Sequence, residues 1–165
     1  MKKPRNKKYA PKRCFQGGGL LALLRIEARA ENSSPLRDDQ LSDLCNGYWL
    51  AFTNLTLGNA SEESWSCVVC ALNIGLTLSE TVFEYQYEQD FVKALDGAYR
   101  AKVRAERSNS ESFRLDGEAM HSIKTALLIH DEQMQLAHRK ELVAAMELVQ
   151  SRIKEGNVYS VETTA

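Results

Sequence analysis

A chain of 165 residues, 44% hydrophobic and 26% charged, has the balance of an ordinary globular domain that buries roughly 70% of its unfolded surface. Four cysteines in that length argue against a disulfide scaffold, and a mean hydropathy of −0.38 with no apolar run near ~20 residues argues against a membrane-spanning helix. The net charge of −1 hides an asymmetry: Lys2, Lys3, Arg5, Lys7, Lys8, Lys12 and Arg13 give residues 1–13 a charge of +7, and the remaining 14 basic and 22 acidic residues give the body −8.

The arm, residues 1–19, holds Pro4, Pro11 and Gly17-Gly18-Gly19 and too few apolar residues to build a core, so it is expected to stay mobile. Its cations do not make it a secretory signal, because the apolar stretch that follows, Leu20 to Leu24, is cut short by Arg25. From Leu20 to about Glu31 the spacing predicts a first helix with Leu20, Leu23, Leu24 and Ala28 on one face. Asn32-Ser33-Ser34-Pro35 ends it, and Ser34 or Asp38 is the expected cap of the next. That second helix carries Leu41, Leu44, Cys45, Tyr48, Phe52 and Leu55 and stops at Gly58.

Ser61-Glu62-Glu63 reads as a cap followed by acids in a first turn, where the helix dipole favours them. The third helix, about Glu62 to Val82, is apolar almost all round, with Cys67, Cys70, Ile74 and Leu78 beside the Trp65–Val68–Leu72–Leu76 face. It is expected at the centre, with Gly75 admitting a close neighbour. Phe83 to Tyr87 forms a junction with no Gly or Pro to mark it. A fourth helix presents Phe91, Val92, Leu95, Ala98, Tyr99 and Val103, and ends in the polar stretch from Arg107 to Ser112. Asp116 opens a fifth with Met120, Ile123, Leu127, His130 and Met134 inward. The stripe shifts phase between Ala137 and Leu142 and continues through Met146, Val149 and Ile153 to Gly156, as one bent helix or as two. The fold class is therefore all-α: a single-domain bundle of five to six helices over 20–156, with a basic arm before it and a tail, 157–165, after it. The stripe from Met120 to Ile153 would serve as core or as the seam of a homodimer.

Three pairs of residues invite a chemical reading. Cys67-Val68-Val69-Cys70 has the spacing of a redox or zinc motif but lies within a helix, with no preceding strand and no second pair. Glu118-x-x-His121 is half of a di-iron ligand set that needs two such pairs. His130-Asp131 is a doublet used by metal phosphohydrolases, but His130 falls on the apolar stripe, and an interior histidine is the simpler account. No phosphate loop or nucleophile triad occurs. The sequence points to a non-enzyme that needs no cofactor, with a metal or redox enzyme a distant alternative. The arm is the strongest binding feature, since each neutralised phosphate adds to a salt-dependent affinity for nucleic acid. Arg100, Lys102, Arg104 and Arg107 form a second cationic cluster, at a helix C-terminus where the dipole already favours them.

Lys7-Lys8-Tyr9-Ala10-Pro11-Lys12, the central Ala71-Leu72-Asn73-Ile74-Gly75-Leu76 and the late Asp116-Gly117-Glu118 with Leu127 to Ala137 make the chain resemble small helical proteins of tailed phages and prophages of Gram-negative bacteria. The resemblance implies no activity and no catalytic residues. It implies a place in the bacterial cytoplasm and an accessory role, acting by binding a host or phage macromolecule. A protein partner is the first expectation, and DNA or RNA held by the arm the alternative.

Overall fold

The computed structural model describes residues 33–58, 60–110 and 112–156; the basic arm, the helix expected over 20–31 and the tail lie outside them. The described residues form an all-α bundle of five helices: α1 (Asp38–Leu57), α2 (Glu62–Thr81), α3 (Glu88–Arg107), α4 (Gly117–Leu136) and α5 (Arg139–Lys154). None is long and apolar enough to cross a membrane.

The helix ends follow local chemistry with one correction. The cap of α1 is neither Ser34 nor Asp38 but Arg37, in extended conformation; Asp38 and Asp39 supply the acidic first turn, and Gly58 closes the helix at φ 92°. Ser61 caps α2, its hydroxyl accepting from the Ser64 N–H at 3.2 Å, and Asp116 caps α4, accepting from the Ala119 N–H at 2.8 Å. The α2–α3 junction is closed with three non-glycine residues at positive φ: Glu84 (49°), Tyr85 (64°) and Tyr87 (63°). The Tyr85 N–H reaches back to the Ser79 carbonyl at 2.7 Å, so the turn is held by the end of α2.

The helix that is apolar all round does take the centre, since α2 packs on each of the other four. Gly75 lets the buried Phe91 ring lie against its backbone: a Cβ there would come within 2.3 Å of Phe91 Cε1. Gly97 does the same for α3 and α4, where a Cβ would stand 2.9 Å from Ala119 Cβ. Ala94, Ala98, Ala101 and Ala105 run down the same side of α3, all buried, which lets the two helices approach closely.

The phase shift between Ala137 and Leu142 marks a true break, and α4 and α5 are two helices. Ala137 (φ −70°, ψ 142°) and His138 (φ −77°, ψ 152°) are extended. The segment before α1 stabilises them: Pro35 pairs with His138, and the Arg139 N–H donates to the Ser34 carbonyl at 3.0 Å. Several expected core positions lie outside the core. Leu44, Met146 and Ile153 are exposed because, among the described residues, no helix covers their side, and Cys67 and Cys70 are exposed on α2. Phe113, in the stretch before α4, is buried instead: its N–H donates to the Ala60 carbonyl at 2.9 Å and its ring lies 5.7 Å from that of Trp65.

Candidate functional site

Built upward from its residues, a part-buried polar cluster joins α1 to α4. Asp131 accepts from the Tyr48 hydroxyl and, at 2.9 Å, from Trp49 Nε1; Tyr48 also lies 3.0 Å from Cys45 Sγ. His130 packs its ring 5.4 Å from that of Tyr48 and is almost fully buried, with Nδ1 unpartnered. Burial lowers its pKa to about 4, and burial raises the Cys45 thiol and, with the neighbouring Asp131, the Tyr48 hydroxyl above their ordinary ranges. Each of these three groups is pushed toward its neutral form: the His130 imidazole becomes a weaker base, and the Cys45 thiol and Tyr48 hydroxyl hold their protons. The doublet His130-Asp131 thus pins two helices together.

The other pairs are not assembled into sites. Cys67 and Cys70 are free thiols, and burial raises the pKa of both, opposite to the shift that activates a thiolate. Glu118 pairs with Arg100 at 3.2 Å, while His121 is exposed. Among the described residues no three His, Cys, Asp or Glu side chains gather as a metal would require.

The cationic cluster of α3 is largely engaged. Arg100 bonds Asp96 (2.8 Å) and Glu118 (3.2 Å), and Arg104 bonds Asp116 (3.1 Å) and the Arg114 carbonyl (3.1 Å). Lys102 lies 3.9 Å from Glu106 and 5.2 Å from the Trp65 ring centre. These contacts latch the end of α3 to the start of α4; Arg107 stands exposed at the last turn. Lys2, Lys3, Arg5, Lys7, Lys8, Lys12 and Arg13 lie outside the described residues. The stripe offered as a dimer seam is consumed over α4, where Ile123, Leu127, His130 and Met134 are buried in the core.

Among the described residues, two surfaces stand out. A groove of about 370 Å³ runs between α2, α3 and α5, lined by Trp65, Val69, Leu95, Tyr99, Val149 and Ile153, with Cys70, Lys102 and Arg152 beside them. The second is the outer side of α1. Leu50 (64% exposed), Thr53 and Leu57 (73%) form an i, i+3, i+7 row there, next to the exposed Asn46 and Gly47. The 18 residues from Leu44 to Ser61 contain no charged side chain, in a chain that is 26% charged. Thr53 and Thr56 donate their hydroxyls to backbone carbonyls at 2.8 Å, so this face has little hydration to lose when covered. Charge depletion around exposed leucines is the composition of an interface centre. The gap in charge was visible in the sequence, but which leucines point outward became plain only once α2 and α4 were seen to cover the Tyr48–Phe52–Leu55 side.

No protein-family model, curated protein or solved structure matches this chain, so the resemblance to phage and prophage proteins rests on its sequence features alone.

Proposed function

We propose that the protein is a non-enzymatic accessory protein, of phage or prophage origin, that acts in the bacterial cytoplasm by binding a protein partner through the outer face of α1. The single observation that carries this reading is the uncharged, exposed row Leu50–Thr53–Leu57 on a helix whose opposite side, Tyr48, Ala51, Phe52 and Leu55, is buried. A partner that offers a complementary apolar, uncharged surface would bury the two leucines and gain roughly 1.5–3 kcal/mol for each one fully covered, before the costs of association. The arm supplies long-range attraction to an acidic partner and mainly raises the association rate.

Nucleic-acid binding through the arm is the second reading, favoured by seven cations in thirteen residues. It gains little from the body, where Arg100, Lys102 and Arg104 already have acidic partners. A pull-down of the tagged chain from a Gram-negative host lysate, with and without nuclease, separates the two. The protein reading expects one stoichiometric protein that survives nuclease and persists, at slower capture, when residues 1–13 are deleted. Recovery that vanishes with nuclease, or with that deletion, moves the assignment to nucleic acid.

A further inference from the structure

Three helices build the groove at helical spacing. α3 and α5 each pack on α2 without forming a packed pair of their own, which leaves a trough with α2 as its floor. Trp65, Val69 and Cys70 belong to the floor, Leu95 and Lys102 to one wall, and Val149, Arg152 and Ile153 to the other. The volume of about 370 Å³ and the mostly apolar lining are those of a small-ligand pocket.

Two cations and no acid are among the lining residues, and the two are not equivalent. Arg152 is committed to α2: Nη2 donates to Glu80 at 2.6 Å, and Nη1 lies 3.4 Å from Thr77 Oγ1. Lys102 is held differently. Its ammonium sits 5.2 Å from the centre of the Trp65 ring, and its contact with Glu106 is 3.9 Å, longer than a hydrogen bond. Its donors are therefore available at the edge of an apolar groove, and a ligand carboxylate can take them in a charge-assisted hydrogen bond. Bare phosphate or a nucleic-acid backbone would leave Leu95, Val149 and Ile153 uncovered. A neutral apolar molecule would leave Lys102 unanswered.

We propose that this groove binds a small amphipathic carboxylate, with its apolar body against Val69, Leu95, Val149 and Ile153 and its carboxylate on the Lys102 ammonium. This inference is independent of the partner reading, because no residue of α1 lines the groove.

Thiol labelling of the full chain tests it, with decanoate as the probe and 1-decanol as its uncharged counterpart. Cys70 lines the groove, Cys67 does not, and both are free. Iodoacetamide labelling, resolved by peptide mass mapping, would be followed across a decanoate titration kept below micelle formation. The expected result is saturable slowing of Cys70, at least about fivefold, with Cys67 and the half-buried Cys45 unchanged. Lys102→Met should weaken decanoate about tenfold and 1-decanol less than about twofold, since only the acid loses a charged partner. Ile153→Glu places a like charge in the groove at a side chain that is 58% exposed, so the unfolding midpoint should stay and the protection by decanoate should vanish. A Cys70 rate that does not respond to decanoate overturns the proposal. So does slowing shared by all three thiols, which would be detergent-like coating. Equal losses of acid and alcohol in Lys102→Met, or protection that persists in Ile153→Glu, would also overturn it.

Discussion

The α3–α4 pair and the outer side of α1 are built on opposite plans. Between α3 and α4, Gly97 and a row of alanines bring two backbones close, and Arg100 and Arg104 tie the rim to Asp96, Glu118 and Asp116. On α1 the inner side is pinned through Asp131, while the outer side from Leu44 onward shows leucines, threonines and no charge. Polar chemistry in the first region is occupied with the fold itself. In the second it is largely absent from the surface, which leaves that surface to an apolar partner. A cationic cluster read from sequence is therefore a poor guide to binding until its acidic neighbours are known.

The sharpest way to break the tight side is to add a methyl to it. Gly97→Ala drives a Cβ to 3.0 Å from the Ala119 Cα, a backbone atom that cannot step aside, and should cost about 3 kcal/mol in urea unfolding. Gly47→Ala, on the open face of α1, meets nothing within 4 Å and should gain about 0.5–1 kcal/mol from helix propensity. Equal effects at the two glycines would erase the contrast.

Acid tests the pin of α1 from below. His130 is buried with its pKa lowered from 6.5 to about 4, so the folded state favours the neutral ring. Its contribution is intact above pH 6.5 and is lost as pH falls through the folded value, by about 3 kcal/mol once both states are protonated. His130→Leu should flatten this part of the acid limb in a pH series of urea midpoints. An unchanged limb would show that His130 is hydrated in the folded chain. Asp131→Ala removes the acceptor shared by Tyr48 and Trp49 and should cost about 2 kcal/mol, with the Trp fluorescence of the folded state altered. At the small end, Leu50→Glu with Leu57→Glu should change stability by no more than about 0.5 kcal/mol each, because both side chains already face water.

Much of the bundle was legible because its signals are local. Ser61, Asp116 and Gly58 mark ends by capping chemistry that needs no tertiary partner, and the apolar α2 announces its own burial. Ends fixed by distant contacts were legible only in part: the phase shift showed near Ala137, but not whether the helix bends or breaks. The break at Ala137–His138 depends on Ser34 and Pro35, about a hundred residues away. Phe113 reads as loop yet packs on Trp65, and Met146 and Ile153 read as core yet face outward, because period alone does not say how many sides of a helix have neighbours. The candidate surface on α1 was missed by the sequence reading: the charge-free stretch from Leu44 to Ser61 is there, but which of its leucines face outward depends on packing. The pairing of Arg100 and Arg104 with acids from other turns and from α4 was not legible either, since ion pairs of that kind are set by packing.

The most direct measurement of the central claim is quantitative capture from nuclease-treated lysate by the natural chain and by Leu50→Glu/Leu57→Glu, both verified as folded by circular dichroism. The account predicts that a partner held by the natural chain is lost from the double variant, at least about tenfold in recovery, while unfolding midpoints stay together. A partner retained at full recovery by the double variant would contradict it and remove α1 as the binding face.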